Sequence, residues 1–551
     1  MAPNDNNSER FETAGRRRIG RLQRRDVLKA IGVGVGSMPI VVGTAAGETD
    51  AVATGPTQRT YRAATLDPGT LPEANPPDDP DIVGGGSSES EEVPIQRPDG
   101  AVETGGPSGS PLVKGDGASI AVRNDYDGFG TRDTVRGVDL DDSGTVEDDE
   151  IFFVVPSDAQ IGTGHDYHVS VINSEVGIFE KETGDRLHHF RLEDWFENVL
   201  SLAPGEEPHQ FENTQVFDPR VRYDRGADRY IVACVEFNLP DTDAGEPIDD
   251  PNDLTGAYLL SVSDTADPTG TWTNYRIPPL SNYGLVDFPQ LGYGPEAVYL
   301  TQNFFAIEDG GYVFDGATMV TLDKDDLYAG EDVDALHFTD LRNPDGSLAF
   351  TVQPARQPDL GDGGGDAFHL MNARYSHGDS LTVWTVENPT DPATASVTND
   401  ELAVQPYNNP TAAKQPDTEE RIDMSDTRLV EAIAYDNATG NLWAAHTIND
   451  GSVRWYEVDP DGPSLVQGHT FKREGVPTSY PTIETNGEST MFVYNVSGPK
   501  DADDTKNFAR VEVAGRTKGY DPDRQRTTPS SRKASRPTTT STRARATPGR
   551  R

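Results

Sequence analysis

One hairpin pattern recurs along most of this 551-residue chain, and it leaves few folds open. Asp218-Pro-Arg-Val-Arg-Tyr223 is followed by Arg229-Tyr-Ile-Val-Ala233, and Phe288-Pro-Gln-Leu-Gly-Tyr293 by Ala297-Val-Tyr-Leu300. Met371 to Tyr375 precedes Ser380 to Trp384, Ala432 to Tyr435 precedes Asn441 to Ala444, and Tyr480 to Thr485 precedes Thr490 to Tyr494. A weaker copy runs from Asp158 through Gly162 to Tyr167-His-Val-Ser-Val171. Anchor positions 162, 223, 293, 375, 435 and 485 lie 61, 70, 82, 60 and 50 residues apart. Each copy is a strand, a short polar turn and a second strand, too small to bury its own faces. Stacked copies can bury them. The expected fold is all-β, a β-propeller of six or seven blades that can be incomplete at the C-terminus. A pair of β-sandwiches is the alternative, but it gives no reason for one hairpin to recur.

Helical periodicity is scarce. Its best stretch is Leu192 to Leu202, where Leu192, Trp195, Phe196, Val199 and Leu200 fall on one helical face. Elsewhere short runs of Val, Ile, Tyr, Phe and Trp alternate with Asp-Gly, Asn-Gly and Thr-Gly turns, the texture of antiparallel sheet from about residue 118 to 515.

The chain before and after that region reads differently. Arg24-Arg25-Asp-Val-Leu-Lys29, a mildly apolar run from Ala30 to Val42, and Thr44-Ala-Ala46 follow in the order of a twin-arginine export signal over residues 1–46. The run is too short to span a bilayer, which takes about 20 apolar residues, and no second apolar span follows. Export by the twin-arginine translocase to the exterior or cell surface is expected, with no stable membrane span after cleavage. Residues 47–117, rich in Pro, Gly, Ser, Asp and Glu, have linker composition. Cys234 sits inside the apolar run Arg229–Phe237 and is expected as a buried structural thiol.

Charge is distributed unevenly. Residues 1–46 carry 8 basic and 4 acidic side chains and residues 516–551 carry 11 and 2, which leaves 28 basic and 86 acidic in residues 47–515, a net of -58. Such a surface excludes nucleic acid as a partner of the folded part. It also implies adaptation to salt, because at 1 M the Debye length falls to about 3 Å and self-repulsion is screened. Residues 516–551 reverse the composition, to Arg, Thr, Ser, Pro and Ala. A reading-frame shift produces such a switch, since GAC codons for Asp read as Thr or Arg codons in the other frames. The rival is a true basic, disordered tail that grips an acidic surface.

One loop has the spacing of a cation site. Asp139, Asp141 and Ser143 occupy positions 1, 3 and 5 of a twelve-residue loop, Gly144 the sharp turn at 6, Thr145 the carbonyl position 7, Glu147 position 9 and Glu150 position 12. That is the EF-hand order of oxygen ligands for Ca²⁺, although residues 128–138 make a poor flanking helix. The ten histidines show no zinc spacing. His165 and His168 could share a pocket with Asp158 and Asp166, and His446 is expected to face the core. No catalytic residue stands out. Asp158, Asp218, Asp287 and Asp366 lie near the repeat starts, where paired acids of a propeller hydrolase would stand. Their recurrence points instead to a structural task, capping amides of the next strand.

Several segments carry a resemblance. Pro156-Ser-Asp-Ala-Gln-Ile-Gly162 with Tyr167-His-Val169 and Asn173 resembles the Pro-Asp-Thr-Asn-Gly-Ala-Val-Gly, His-Tyr-Val, Asn pattern of an uncharacterised family of exported prokaryotic propeller-like proteins. Asp218-Pro-Arg-Val-Arg-Tyr-Asp224, Ala227-Asp-Arg-Tyr230, Ser263 to Trp272 and Asp287-Phe-Pro-Gln-Leu291 are similar to that family's motifs as well, and the chain departs from them at Ala159-Gln160-Ile161. The resemblance spans roughly residues 120–515 and implies a propeller, with no activity attached.

Two functions follow as expectations. The first is an extracellular or cell-surface binding protein, stabilised by calcium and directed at a glycan or protein. The alternative is a secreted hydrolase acting on polysaccharide through a carboxylate pair. Circular dichroism in salt below about 0.2 M is expected to show loss of structure, because screening there reaches no closer than about 7 Å; an unchanged spectrum after dialysis refutes the salt dependence. Saturating Ca²⁺ is expected to raise the melting temperature, by the equivalent of about 2.7 kcal/mol at 100 times its dissociation constant. Asp139→Ala combined with Glu150→Gln removes that shift if the loop binds the ion, and a double variant that still responds fully places the ion elsewhere.

Overall fold

The computed structural model describes residues 52–74, 129, 135–137, 151–153, 157–200, 214–238, 255–280, 285–308, 311–358, 367–431, 433–471, 476–498, 506–517 and 526–533. The expected signal segment 1–46, the expected calcium loop 139–150 and Asp366 lie outside them. The chain divides into two units. One comprises Met1–Gly85, Tyr126–Leu291 and Leu300–Arg342, the other Gly86–Asp125, Gly292–Tyr299 and Asn343–Arg551.

Both units are built from antiparallel meanders of four strands. The first meander is Gln160–Thr163, Tyr167–Ile172, Glu175–Glu180 and Arg186–Arg191, paired in sequence order. The second is Thr214–Asp224, Arg229–Asn238, Thr255–Ser263 and Trp272–Ile277. The third is Leu285–Tyr293, Ala297–Glu308, Gly311–Asp323 and Val333–Leu341. The fourth is Gln353–Arg356, Phe368–Ala373, His377–Glu387 and Ser396–Asn408. The fifth is Ile433–Asp436, Asn441–Ile448, Ser452–Asp459 and Ser464–Phe471. The sixth is Thr478–Thr485, Ser489–Gly498, Asn507–Thr517 and Arg526–Lys533. Serial four-stranded meanders are the blades of a β-propeller, and the all-β propeller expected from the repeat is the fold observed. Six such meanders lie among the described residues.

The recurring hairpin of the sequence is the first two strands of a blade. Its apolar runs are continuous rather than alternating because both faces are covered: Tyr230 to Val235 and Phe237 are all fully buried. Consecutive first strands approach closely. A Cβ on Gly162 would stand 2.9 Å from Val221 Cγ2, and one on Gly292 would stand 2.5 Å from the Ala355 carbonyl oxygen, so neither position has room for a side chain. Within the first unit the core gathers Val169, Ile178, Phe190, Trp195, Val221, Tyr230, Cys234 and Trp272. In the second unit Ala434, Trp443, Trp455, Ile483, Phe492 and Tyr494 form a core of their own.

The helical stretch is shorter than its periodicity. Only Leu192–Phe196 is helix, with Leu192, Trp195 and Phe196 buried, and Val199 buried in the turn that follows. Trp195 Nε1 donates to Ser261 Oγ at 3.0 Å, which ties the helix to the second blade. Cys234 is a buried free thiol, as expected, and burial pushes its pKa well up. His446 is fully buried, its Nδ1 2.7 Å from the Thr427 carbonyl and its Nε2 2.9 Å from Tyr456 Oη. The carbonyl can only accept, so Nδ1 carries the proton and Nε2 accepts from the tyrosine. Burial holds this imidazole neutral, with its pKa lowered to about 4.

Two segments differ from the composition reading. The expected linker 47–117 contributes strands: Thr54–Tyr61 pairs with Val333–Leu341, and Ala64–Leu66 with Trp272–Ile277. These are edge additions, held by backbone ladder bonds and polar contacts such as Thr60 Oγ1 to Asp334 Oδ1 at 2.5 Å. Such a strand buries little, so apolar patterning does not announce it. Arg526–Lys533, within the basic tail, pairs with Asn507–Thr517 as the last strand of the sixth blade. No helix among the described residues is long and apolar enough to cross a membrane.

Candidate functional site

The first strands of the blades carry an unusual backbone feature. Asp158, Asp218, Phe288 and Tyr480 all have positive φ, between 42° and 53°. Three of them precede proline, as Asp218-Pro219, Phe288-Pro289 and Tyr480-Pro481. A non-glycine residue in this region costs of order 1–3 kcal/mol, and a following proline disfavours it further. In two blades the residue opens a β-bulge: residues 218–219 stand opposite Cys234 alone, and residues 480–481 opposite Tyr494 alone.

Three of these four amides are held by a side chain of the preceding blade. Asn173 Oδ1 accepts from Asp218 N at 2.6 Å, Asp218 Oδ2 from Phe288 N at 3.2 Å, and Thr447 Oγ1 from Tyr480 N at 3.1 Å. Asp218 therefore does cap the next strand, as its recurrence suggests. The equivalent positions, however, are Asp158, Asp218, Phe288 and Tyr480, and Asp287 is the residue before its counterpart.

In the first unit this arrangement collects three carboxylates. Asp218 is buried and hydrogen-bonds to Asp158, whose Oδ2 accepts from Asn173 Nδ2 at 2.9 Å. Asp287 is also buried and acts on Asp218 through charge. Burial, then the Asp158 and Asp287 charges, raise the Asp218 pKa well above the usual carboxylate range, and Arg220 pulls it back in part. Asp158 is half-buried and is the member nearest to solvent. Asp218, Arg220 and Arg222 follow at alternate positions of one strand. Arg220 lies 5.0 Å from the Phe288 ring centroid and donates from Nε to the Pro289 carbonyl at 2.9 Å. Arg222 Nη1 donates to Gln160 Oε1 at 2.9 Å. Arg220 and Arg222 are the residues the sequence reading passes over; their signal is a charged pair at alternate positions of a strand whose other residues, Val221 and Tyr223, are core.

The remaining expected residues are dispersed. His165 pairs with Asp228 at 3.3 Å, not with Asp158, and is largely exposed; His168 Nδ1 lies 3.0 Å from Thr163 Oγ1. The Ser263 to Trp272 turn is structural: Ser263 Oγ accepts from Tyr230 N and Trp272 Nε1 donates to the Pro268 carbonyl. Among the described residues no group of three His, Cys, Asp or Glu side chains is placed to hold a metal ion. Asp139, Asp141, Ser143, Thr145, Glu147 and Glu150 lie outside those residues.

No family model matches the sequence, and no curated protein matches it. Solved structures show distant likenesses. A GH43 endo-arabinanase from Bacillus licheniformis is 13% identical, over 65% of this chain and 93% of that one, with a TM-score of 0.25. The WD40 domain of SCAP from fission yeast is 9% identical over 69% and 78%, with a TM-score of 0.30. An ACO/RPE65 chimera is 10% identical over 65% and 68%, with a TM-score of 0.34. At these values the likenesses carry no inference about this chain, and its fold rests on its own sheets.

The two jobs of Asp218 separate by substitution. Asparagine mimics the protonated acid and keeps an acceptor for Phe288 N, whereas alanine leaves that buried amide without one. At pH 7 Asp218→Asn is expected to melt no lower than the parent, and Asp218→Ala to lose about 1–3 kcal/mol. The raised folded pKa means that Asp218 lowers stability as pH rises from the unfolded carboxylate value of about 4 toward the folded one. The stability of Asp218→Asn is expected to fall less than the parent's over that range. Equal melting curves for the asparagine and alanine variants refute the cap.

Proposed function

We propose that this chain is an extracellular hydrolase of polysaccharide, with Asp218 as its general acid. One observation carries the reading: a buried carboxyl, its pKa raised by burial and by the charges of Asp158 and Asp287, stands in a cluster with those two other carboxyl groups. Glycoside cleavage needs that combination. Asp218 gives its proton to the leaving glycosidic oxygen. Asp287, which acts on Asp218 by charge, meets the positive charge that develops at the anomeric carbon, directly or through the attacking water. Asp158 hydrogen-bonds Asp218 and holds the proton on it. Export through the twin-arginine signal and calcium at the 139–150 loop belong to the same proposal, the ion serving stability.

A second reading is an extracellular or cell-surface binding protein. It is favoured by the Phe288 amide on Asp218 Oδ2, which gives that carboxyl a purely structural use. Protein purified from culture and incubated with a polysaccharide panel in about 1 M salt, where the Debye length is about 3 Å, separates the two. Release of reducing ends is expected, falling at least about 100-fold in Asp218→Asn and in Asp287→Asn. Turnover undiminished in both variants removes the acid role, and saturable binding with no turnover of any polysaccharide favours the second reading.

A further inference from the structure

Arg220 poses a question that the blade architecture does not answer. Its side chain is 3% exposed and lies against the Phe288 ring, with Nε spent on the Pro289 carbonyl. Its two Nη groups make no hydrogen bond among the described residues and are not sealed from solvent. A guanidinium this deep with two idle donors is costly, because water no longer solvates it fully and no protein acceptor replaces that water. On the same short segment, Gln290 donates from Nε2 to the Phe288 carbonyl, and its Oε1 is buried with no partner. Donors without acceptors and an acceptor without a donor are thus tethered to Phe288-Pro289-Gln290, next to Asp218.

We infer that Arg220 is the anchor for a carboxylate on the bound saccharide, and that the site takes uronic acid residues. The deduction rests on the reading of the Asp218 cluster as a polysaccharide site and names its substrate class. The two Nη groups form a planar fork that matches the two oxygens of a carboxylate, and the ring of Phe288 and the Pro289 carbonyl hold the fork in place. Neutral sugars lack the charge to compensate the guanidinium. The acidic surface does not forbid an acidic ligand, since long-range repulsion is screened in molar salt, whereas a short buried ion pair is screened much less.

Calorimetry on the full chain in about 1 M KCl, where the Debye length is about 3 Å, compares an oligogalacturonate with a neutral galacto-oligosaccharide of equal length. The uronate is expected to bind at least about tenfold tighter, the least that a charge-assisted bond contributes. Arg220→Gln is expected to erase that preference, and Arg220→Lys, which keeps the charge and loses the fork, to erase most of it. Equal affinity for the two oligomers, or a preference that survives in folded Arg220→Gln, overturns the inference and leaves the hydrolase reading standing. If both Arg220 variants fail to fold, competition decides: glucuronate but not glucose must displace the bound oligomer from the parent protein, and failure to do so overturns the inference. An Arg220-dependent preference with no cleavage of any polysaccharide retains the uronate site and removes the hydrolase.

Discussion

The blades of each unit are keyed together at single backbone amides. Where a first strand turns to positive φ, its ladder is interrupted, and the freed N–H needs an acceptor. Asn173, Asp218 and Thr447 supply it from the preceding blade. The contact is sequential by construction: Asn173 holds Asp218, and Asp218 holds Phe288. Strain of order 1–3 kcal/mol at each bulge persists because the neighbouring blade fixes both the amide and its acceptor. Proline in the bulge costs no ladder bond there, which accounts for Pro219 and Pro481 in strands that otherwise would not accept proline. The motif visible in the sequence is thus a joint between blades.

That joint also makes the site. A cap needs a short acceptor side chain, and an aspartate provides two oxygens, only one of which is used by the amide. With Asp158 and Asp287 close by and solvent mostly excluded, ionising Asp218 would add charge where it is least solvated. Burial and the neighbouring charges therefore raise its pKa. The chemistry of the acid and the geometry of the joint therefore have one cause, the burial of a carboxylate between successive first strands.

Much of the architecture was legible because burial on both faces writes continuous apolar runs, and the turns between them are polar and glycine-rich. Cys234 and His446 could be placed in the core on the same ground. The edge strands Thr54–Tyr61 and Arg526–Lys533 were not legible, since an edge strand is held by backbone bonds that leave no side-chain pattern. The acids near the repeat starts could be found, but Asp287 is not the equivalent of Asp218. The matched runs Asp218-Pro219 and Phe288-Pro289 give that place to Phe288, one residue on. Arg220 escaped notice for a related reason: a charge in an apolar strand is read as solvent-facing until the opposing blade is seen.

The basic residues explain how so acidic a chain keeps a core. Between residues 47 and 515 there are 28 of them against 86 acids, and several of the 28 are inside. Lys324 pairs with fully buried Asp224 at 2.6 Å, Arg428 with Asp426 at 2.6 Å, and Arg276 and Arg510 with buried Glu236 and Glu512. A buried pair adds little net stability, but breaking one strands a charge at a cost of about 3–5 kcal/mol. Spending cations on the interior makes the surface more acidic than composition alone implies. It also means that the interior pairs are shielded from the salt that the exterior needs. In a shortage of positive charge, Arg220 is buried with no carboxylate hydrogen-bonded to it among the described residues, beside an acid whose pKa burial raises.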